Sequence, residues 1–131
     1  MAMRRLVTIE QLPEITSVDQ GRRFLGKIRE RMSDRRPGLV LDCSGLSKLD
    51  TPVLQLLLSC LEEAMKRNGD ARLAAVSPSV QGMLKSIGAD RLFQIFASNA
   101  DAVNSFHQHS ANLGAIGFSQ DEDGQVSEYA A

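Results

Sequence analysis

The sequence predicts a single α/β domain: a mostly parallel sheet of about four strands with helices packed against it. Two observations carry this. Short β-branched or apolar runs alternate along the chain with stretches whose apolar residues recur at helical spacing, the order that a parallel sheet with right-handed crossovers produces. The chain has 131 residues and is 43% hydrophobic, enough to fill one core and not two.

Leu6-Val7-Thr8-Ile9-Glu10 alternates and reads as the first of these strands, ended by Pro13. Ser17 to Arg36 reads as a helix with Phe24, Leu25, Ile28 and Met32 inward, Ser17 as cap and Pro37-Gly38 as stop. Leu39 to Cys43 is an apolar run suited to a strand buried on both faces. After a loop from Ser44 to Asp50, Pro52 to Arg67 gives the strongest helical pattern, closed by Asn68-Gly69-Asp70. Arg72 to Val76 predicts a third strand. Ser77-Pro78 opens a helix with Val80, Met83, Leu84 and Ile87 on one face and Gly88 as stop. Leu92 to Phe96 predicts a fourth strand and Ala100 to His107 a last helix, with Val103 and Phe106 inward. The domain is expected to span 1–109. Residues 110–131 lose periodicity and read as a polar, acidic, flexible C-terminal tail, in which Leu113, Ile116 and Phe118 are the residues able to dock.

Composition narrows the function. The formal net charge is -1, which offers no electrostatic footprint for nucleic acid. Charge is nonetheless uneven. Arg22, Arg23, Lys27, Arg29, Arg31, Arg35 and Arg36 crowd the first helix, and Asp121, Glu122, Asp123 and Glu128 crowd the tail. A solvated helix face explains the first cluster; a tail folding back on it, or a phosphate site, is the sharper alternative. Cys43 and Cys60 have no metal-ligand spacing and sit among apolar residues, as reduced thiols of an intracellular protein do. His107-Gln108-His109 lacks a third ligand. There is no signal-peptide pattern and no apolar run long enough to span a bilayer, so a cytoplasmic location without membrane contact is expected. No phosphate-binding glycine loop or nucleophile motif occurs, so neither a cofactor nor catalysis is expected. Asp42 and Asp50 flank one loop; loop hydrogen bonding and support of a helix entry explain them better than acid–base chemistry.

Asp50-Thr51-Pro52 is the feature to weigh. Thr51 suits the cap position and Pro52 the first helical position, where a missing N–H costs nothing. Capping alone accounts for the residue types; the positive helix end would also tolerate a phosphate, though Asp50 beside it would repel one. In the helix that follows, Leu54, Leu57, Leu58, Leu61 and Met65 form an apolar stripe, widened by Val53, Leu56, Cys60 and Ala64. Burial explains that width; a partner groove beside Thr51, lined by Val53, Leu56 and Cys60 with Lys48 and Leu49 adjoining, is the alternative.

The run Leu39 to Leu58 (LVLDCSGLSKLDTPVLQLLL) resembles the core of the STAS domain, where a strand leads through D-x-S-G-[VL] to D-[ST]-x-G-L and a helix; Asp42, Ser44, Gly45, Leu46, Asp50, Thr51 and Leu54 fit. Gly69 to Pro78 and Leu84 to Phe96 resemble that family's next strand and its closing L-x-x-x-G-L-D-x-L-F segment. The resemblance, of anti-sigma-factor antagonist type, implies a bacterial partner-switching regulator and not an enzyme. It implies an anti-sigma factor or serine/threonine kinase of the histidine-kinase-like ATPase class as partner, with a phosphatase and a homodimer as further associations. It implies Thr51 as phosphoacceptor and Lys48, Leu49, Asp50, Thr51, Pro52, Val53, Leu56 and Cys60 as the partner-binding region. STAS domains also serve as constitutive subunits of lipid-transport ABC complexes and stressosome-like scaffolds, the alternative reading. The sequence departs from the pattern at Pro52 and Val53, which replace small residues, and at Thr16, which replaces an acidic one in Pro13-Glu14-Ile15-Thr16. The family's first strand is absent or reduced to Ala2 to Arg5, so a sheet edge is expected to be exposed or covered by a partner.

Overall fold

A computed structural model describes the backbone of residues 6–116 and the side chains of residues 6–107. The elements run β1 (Val7–Gln11), α1 (Val18–Arg31), β2 (Gly38–Asp42), α2 (Thr51–Lys66), β3 (Asp70–Ala74), α3 (Pro78–Ser86), a 3-10 turn (Ala89–Arg91), β4 (Ile95–Phe96) and α4 (Asn99–Ile116). The strands lie in chain order, β1-β2-β3-β4, and every pairing is parallel. Progression in one direction with right-handed crossovers puts every connecting helix on the same face. The opposite face is left for α4, the one helix that returns from the last strand.

The core divides accordingly. Leu39 and Leu41 of β2 and Ala71 and Leu73 of β3 pack with Leu25, Ile28, Leu57, Cys60 and Leu84 of the crossover helices. Val40 and Ala74, which alternate with them, pack on Ala102 and Phe106 of α4. The unbroken apolar run of β2 is therefore a strand buried on both faces. Arg72 shares the α4 face and is only 7% exposed. Its guanidinium donates to Ser105 Oγ at 2.6 Å and Asp70 Oδ2 at 3.1 Å, and lies 3.9 Å from the Phe106 ring centroid. A buried charge is thus hydrogen-bonded and stacked, and it fastens α4 to β3.

Several boundaries differ from expectation, each for a local reason. α1 ends at Arg31, because Met32 turns to extended backbone (ψ 136) while its N–H still closes onto the Ile28 carbonyl at 2.9 Å. Arg36, just before Pro37, sits at φ 50, its N–H donating to the Arg67 carbonyl at 2.8 Å. β3 starts two residues early and stops at Ala74, where Ala75 turns to φ 57. β4 keeps only Ile95–Phe96, because the Leu92 N–H closes the 3-10 turn onto the Ala89 carbonyl. In α2 the buried residues are Val53, Leu56, Leu57, Cys60, Leu61 and Ala64; Leu58 and Met65 of the predicted stripe face outward. Met83 and Ile87 are likewise exposed, while Val80 and Leu84 hold α3 to the core. The expected last helix is longer, since α4 continues through residues 110–116. Residues 1–5 and 117–131, hence the reduced first strand and most of the predicted tail, lie outside the described residues, as does the side chain of His109.

Candidate functional site

The N-terminus of α2 lies past the C-terminal end of β2, where open parallel sheets place their sites. The path to it is fixed by β2's last residue. Asp42 Oδ1 accepts from the Ser44 N–H at 2.9 Å, and Asp42 Oδ2 accepts from Asn99 Nδ2, at the start of α4, at 3.0 Å. Partial burial pushes the Asp42 carboxyl up, but these donors outweigh it together and hold its pKa below the ordinary value. Asp42 is thus a loop anchor, as the residue pattern suggested. Leu46 drops into the core, and the Leu49 N–H meets Met83 Sδ of α3 at 3.4 Å.

The cap is Asp50, and not Thr51 as expected. Asp50 has extended backbone angles, and its Oδ1 accepts from the Val53 N–H at 3.4 Å. Thr51 is already the first helical residue and Pro52 stands one place further in, still within the turn whose N–H groups have no intrahelical acceptor. Thr51 is exposed, and its hydroxyl makes no hydrogen bond to a described residue. The structural task assigned to Thr51 therefore belongs to its neighbour.

Beside Thr51 lies an open groove of about 350 Å³ between the first turns of α1 and α2. Val18, Gly21 and Leu25 form one wall; Pro52, Leu56 and Leu58 form the other, with Arg22, Gln55 and Ser59 at the rim. The helices lie close here: a Cβ added at Gly21 would stand 3.8 Å from Leu56 Cβ and from the Pro52 carbonyl oxygen, ordinary van der Waals contact. At its far end the helices are clipped by Arg29 and Glu63, 3.1 Å apart. No carboxylate is among the residues lining the groove.

The predicted binding residues divide. Lys48 and Thr51 are exposed, and Leu49, Asp50 and Pro52 are half-buried at the same corner. Val53, Leu56 and Cys60 are corrected to core positions: Val53 and Leu56 are each 3% exposed and Cys60 is fully buried. All three join the main core cluster, and of them only Leu56 lines the groove. Burial pushes the Cys60 thiol up to about 12, and the Cys43 thiol likewise. The groove's α1 wall was missed. Its signal was Gly21, a helix-weakening residue inside an otherwise regular apolar pattern. Thr16 lies just ahead of α1, its N–H and hydroxyl both donating to Gln20 Oε1. Among the described residues no cluster of three or more metal-ligating side chains forms, and no helix is long and apolar enough to cross a membrane.

The model of the STAS domain matches residues 15–102. This chain belongs to the STAS domain family. Its sheet, crossover helices and α2 corner are therefore the STAS core, and β1 is an edge of the described STAS sheet. An anti-sigma-factor antagonist (STAS) domain protein from Planctomyces limnophilus superposes with a TM-score of 0.66 at 19% identity, covering 77% of this chain and 91% of that one. An RsbS variant from Moorella thermoacetica gives 0.67 at 18% identity, covering 83% and 96%. The Thermotoga maritima protein TM1081 gives 0.67 at 15% identity, covering 78% and 82%. No curated protein matches the sequence.

Proposed function

We propose that this STAS domain is a non-catalytic, partner-switching regulator that binds a protein partner at the corner formed by Lys48, Leu49, Asp50, Thr51 and Pro52, together with the groove between α1 and α2. The partner class is an anti-sigma factor or a serine/threonine kinase of the histidine-kinase-like ATPase class. The observation that carries the reading is the state of Thr51. Its side chain is exposed and its hydroxyl is unbonded to any described residue, one position before Pro52, which lines the groove in this STAS fold. The likeness to an anti-sigma-factor antagonist and to RsbS supports the same reading.

A phosphate on Thr51 would be tolerated by the first turn of α2, whose N–H groups and dipole favour negative charge, so the fold would survive it. Asp50 beside it and the apolar groove below would meet that charge badly in a complex, so binding would weaken. The test is a pull-down with the anti-sigma factor or ATPase-class kinase encoded nearest to this chain. Wild type and Thr51→Ala should bind and Thr51→Glu should bind at least about tenfold less, as expected for a charge buried at an interface. Equal binding by all three ends the switching reading.

The likeness to a chain of the stressosome, at TM-score 0.66, favours a second reading: a constitutive subunit of a larger assembly. Under it, native mass measurements give a large particle and phosphate is absent from Thr51 in cells.

A further inference from the structure

The first helix carries more positive charge than the fold uses. Segment 17–36 holds seven Lys and Arg against Asp19, Glu30 and Asp34. Arg29 and Arg31 are committed, to Glu63 at 3.1 Å and Glu10 at 2.7 Å. Arg22 touches Asp19 only at 4.0 Å, with both side chains more than three-quarters exposed. Arg23, Lys27, Arg35 and Arg36 are exposed and form no ion pair with a described residue. Arg23 and Lys27, one helical turn apart, share the outer face of α1; Arg35 and Arg36 follow at its base. Arg36 even holds a left-handed backbone, φ 50, which glycine or asparagine would adopt at less cost. Nothing in the packing of the domain calls for a cation there.

The matching charge lies in the same chain. Residues 117–131 contain Asp121, Glu122, Asp123 and Glu128 and no Lys or Arg, interleaved with Phe118, Val126 and Tyr129. α4 delivers this segment to the right end of the molecule. The helix starts beside Asp42, the last residue of β2, and by Phe106 it lies against Gly38, the first, where an added Cβ would stand 3.2 Å from the ring. It therefore runs antiparallel to β2 and leaves the sheet at the end where Arg35 and Arg36 precede that strand. Residues 107–116 carry it about 15 Å further, and the segment beyond can reach up to about 50 Å, enough to return along α1.

We propose that the acidic segment 117–131 docks on the basic outer face and base of α1 of its own chain, with Arg23, Lys27, Arg35 and Arg36 as its counter-charges. The contact is electrostatic, reversible and weakened by salt. It is separate from the Thr51 corner and stands whether or not that corner binds a regulator.

The test is zero-length carbodiimide cross-linking of the full chain at low salt, read by peptide mass spectrometry. The expected result is an intramolecular amide from Lys27 to a carboxylate of Asp121 to Glu128, with links from Lys48 and Lys85 to that segment rarer. About 0.5 M NaCl should suppress the Lys27 link. The double variant Arg23→Gln, Arg36→Gly should cut it about threefold or more, as loss of two exposed charge contacts predicts. Both sites are exposed, and glycine relieves the backbone at position 36, so this variant folds. Equal linking of the segment to Lys27, Lys48 and Lys85, no linking at all, or links found only between chains would each overturn the proposal, the last by making a second copy the occupant.

Discussion

Replacing Asp50 by alanine removes the acceptor that the Val53 N–H finds at 3.4 Å, and with it the cap of α2. The expected cost is about 1 kcal/mol of unfolding free energy, measured by urea denaturation. Thr51→Ala, one residue on, should change stability by no more than about 0.5 kcal/mol, because its hydroxyl holds nothing in the fold. The pair of variants thus separates the structural task from the candidate regulatory one. Asp42 makes a second prediction at this scale. Its pKa in the fold lies below the ordinary 3.8, so its ionised form stabilises the fold at neutral pH, and that contribution is lost as pH falls through the lowered pKa. Asn99→Ala removes one of the donors responsible. The Asp42 carboxyl, followed by NMR titration, should then titrate at higher pH than in the wild type. The thiols supply a third. With burial pushing both up to about 12, Cys43 and Cys60 should resist iodoacetamide at about pH 8 in the folded chain and react once it is unfolded.

Among the elements, α4 is held by the smaller core cluster and by the one arginine buried among the described residues. Arg72→Ala breaks bonds to Ser105 and Asp70 and the contact with the Phe106 ring, and should cost about 2–3 kcal/mol in urea denaturation. Nothing in the sequence pointed to this: Arg72 reads as the polar start of a strand, and Ser105 and Phe106 lie more than thirty positions away. The same limit applies to the candidate site. The α2 helix and its entry were legible because cap chemistry and a 3.6-residue period are local signals. The orientation of α2 was not, since an apolar arc covering more than half the helix leaves open which stripe meets the sheet. Hence Val53 and Cys60 went inward while Leu58 and Met65 stayed out. Strand ends were blurred for a related reason. Ala75 and Leu92 look like strand residues, and a left-handed φ of 57 at one and a 3-10 turn closed onto Ala89 at the other take them out of the ladder.

At the scale of the whole molecule, strand order and crossover hand together explain the unequal faces. Among the described residues three helices cover one side and α4 covers the other, and Ile9 at the β1 edge is about half exposed. The alternation of strand and helix was enough to predict an α/β class, because a parallel pair needs a crossover and a helix is the usual way to make one. The two-layer asymmetry was not legible, because strand order is not written in any local pattern.

The arrangement of strands in chain order also bears on how the protein is made. As the polypeptide leaves the ribosome, β1 emerges first and each later crossover adds its strand to the newest edge. No strand has to be inserted between two that have already paired, and no earlier pairing has to open for a later one. Nascent chains can therefore grow the sheet in one direction, with α4 closing the second face only after β4 is out. Until that moment Val40 and Ala74 face water, which places a vulnerable interval of biosynthesis between the emergence of β4 and the docking of α4.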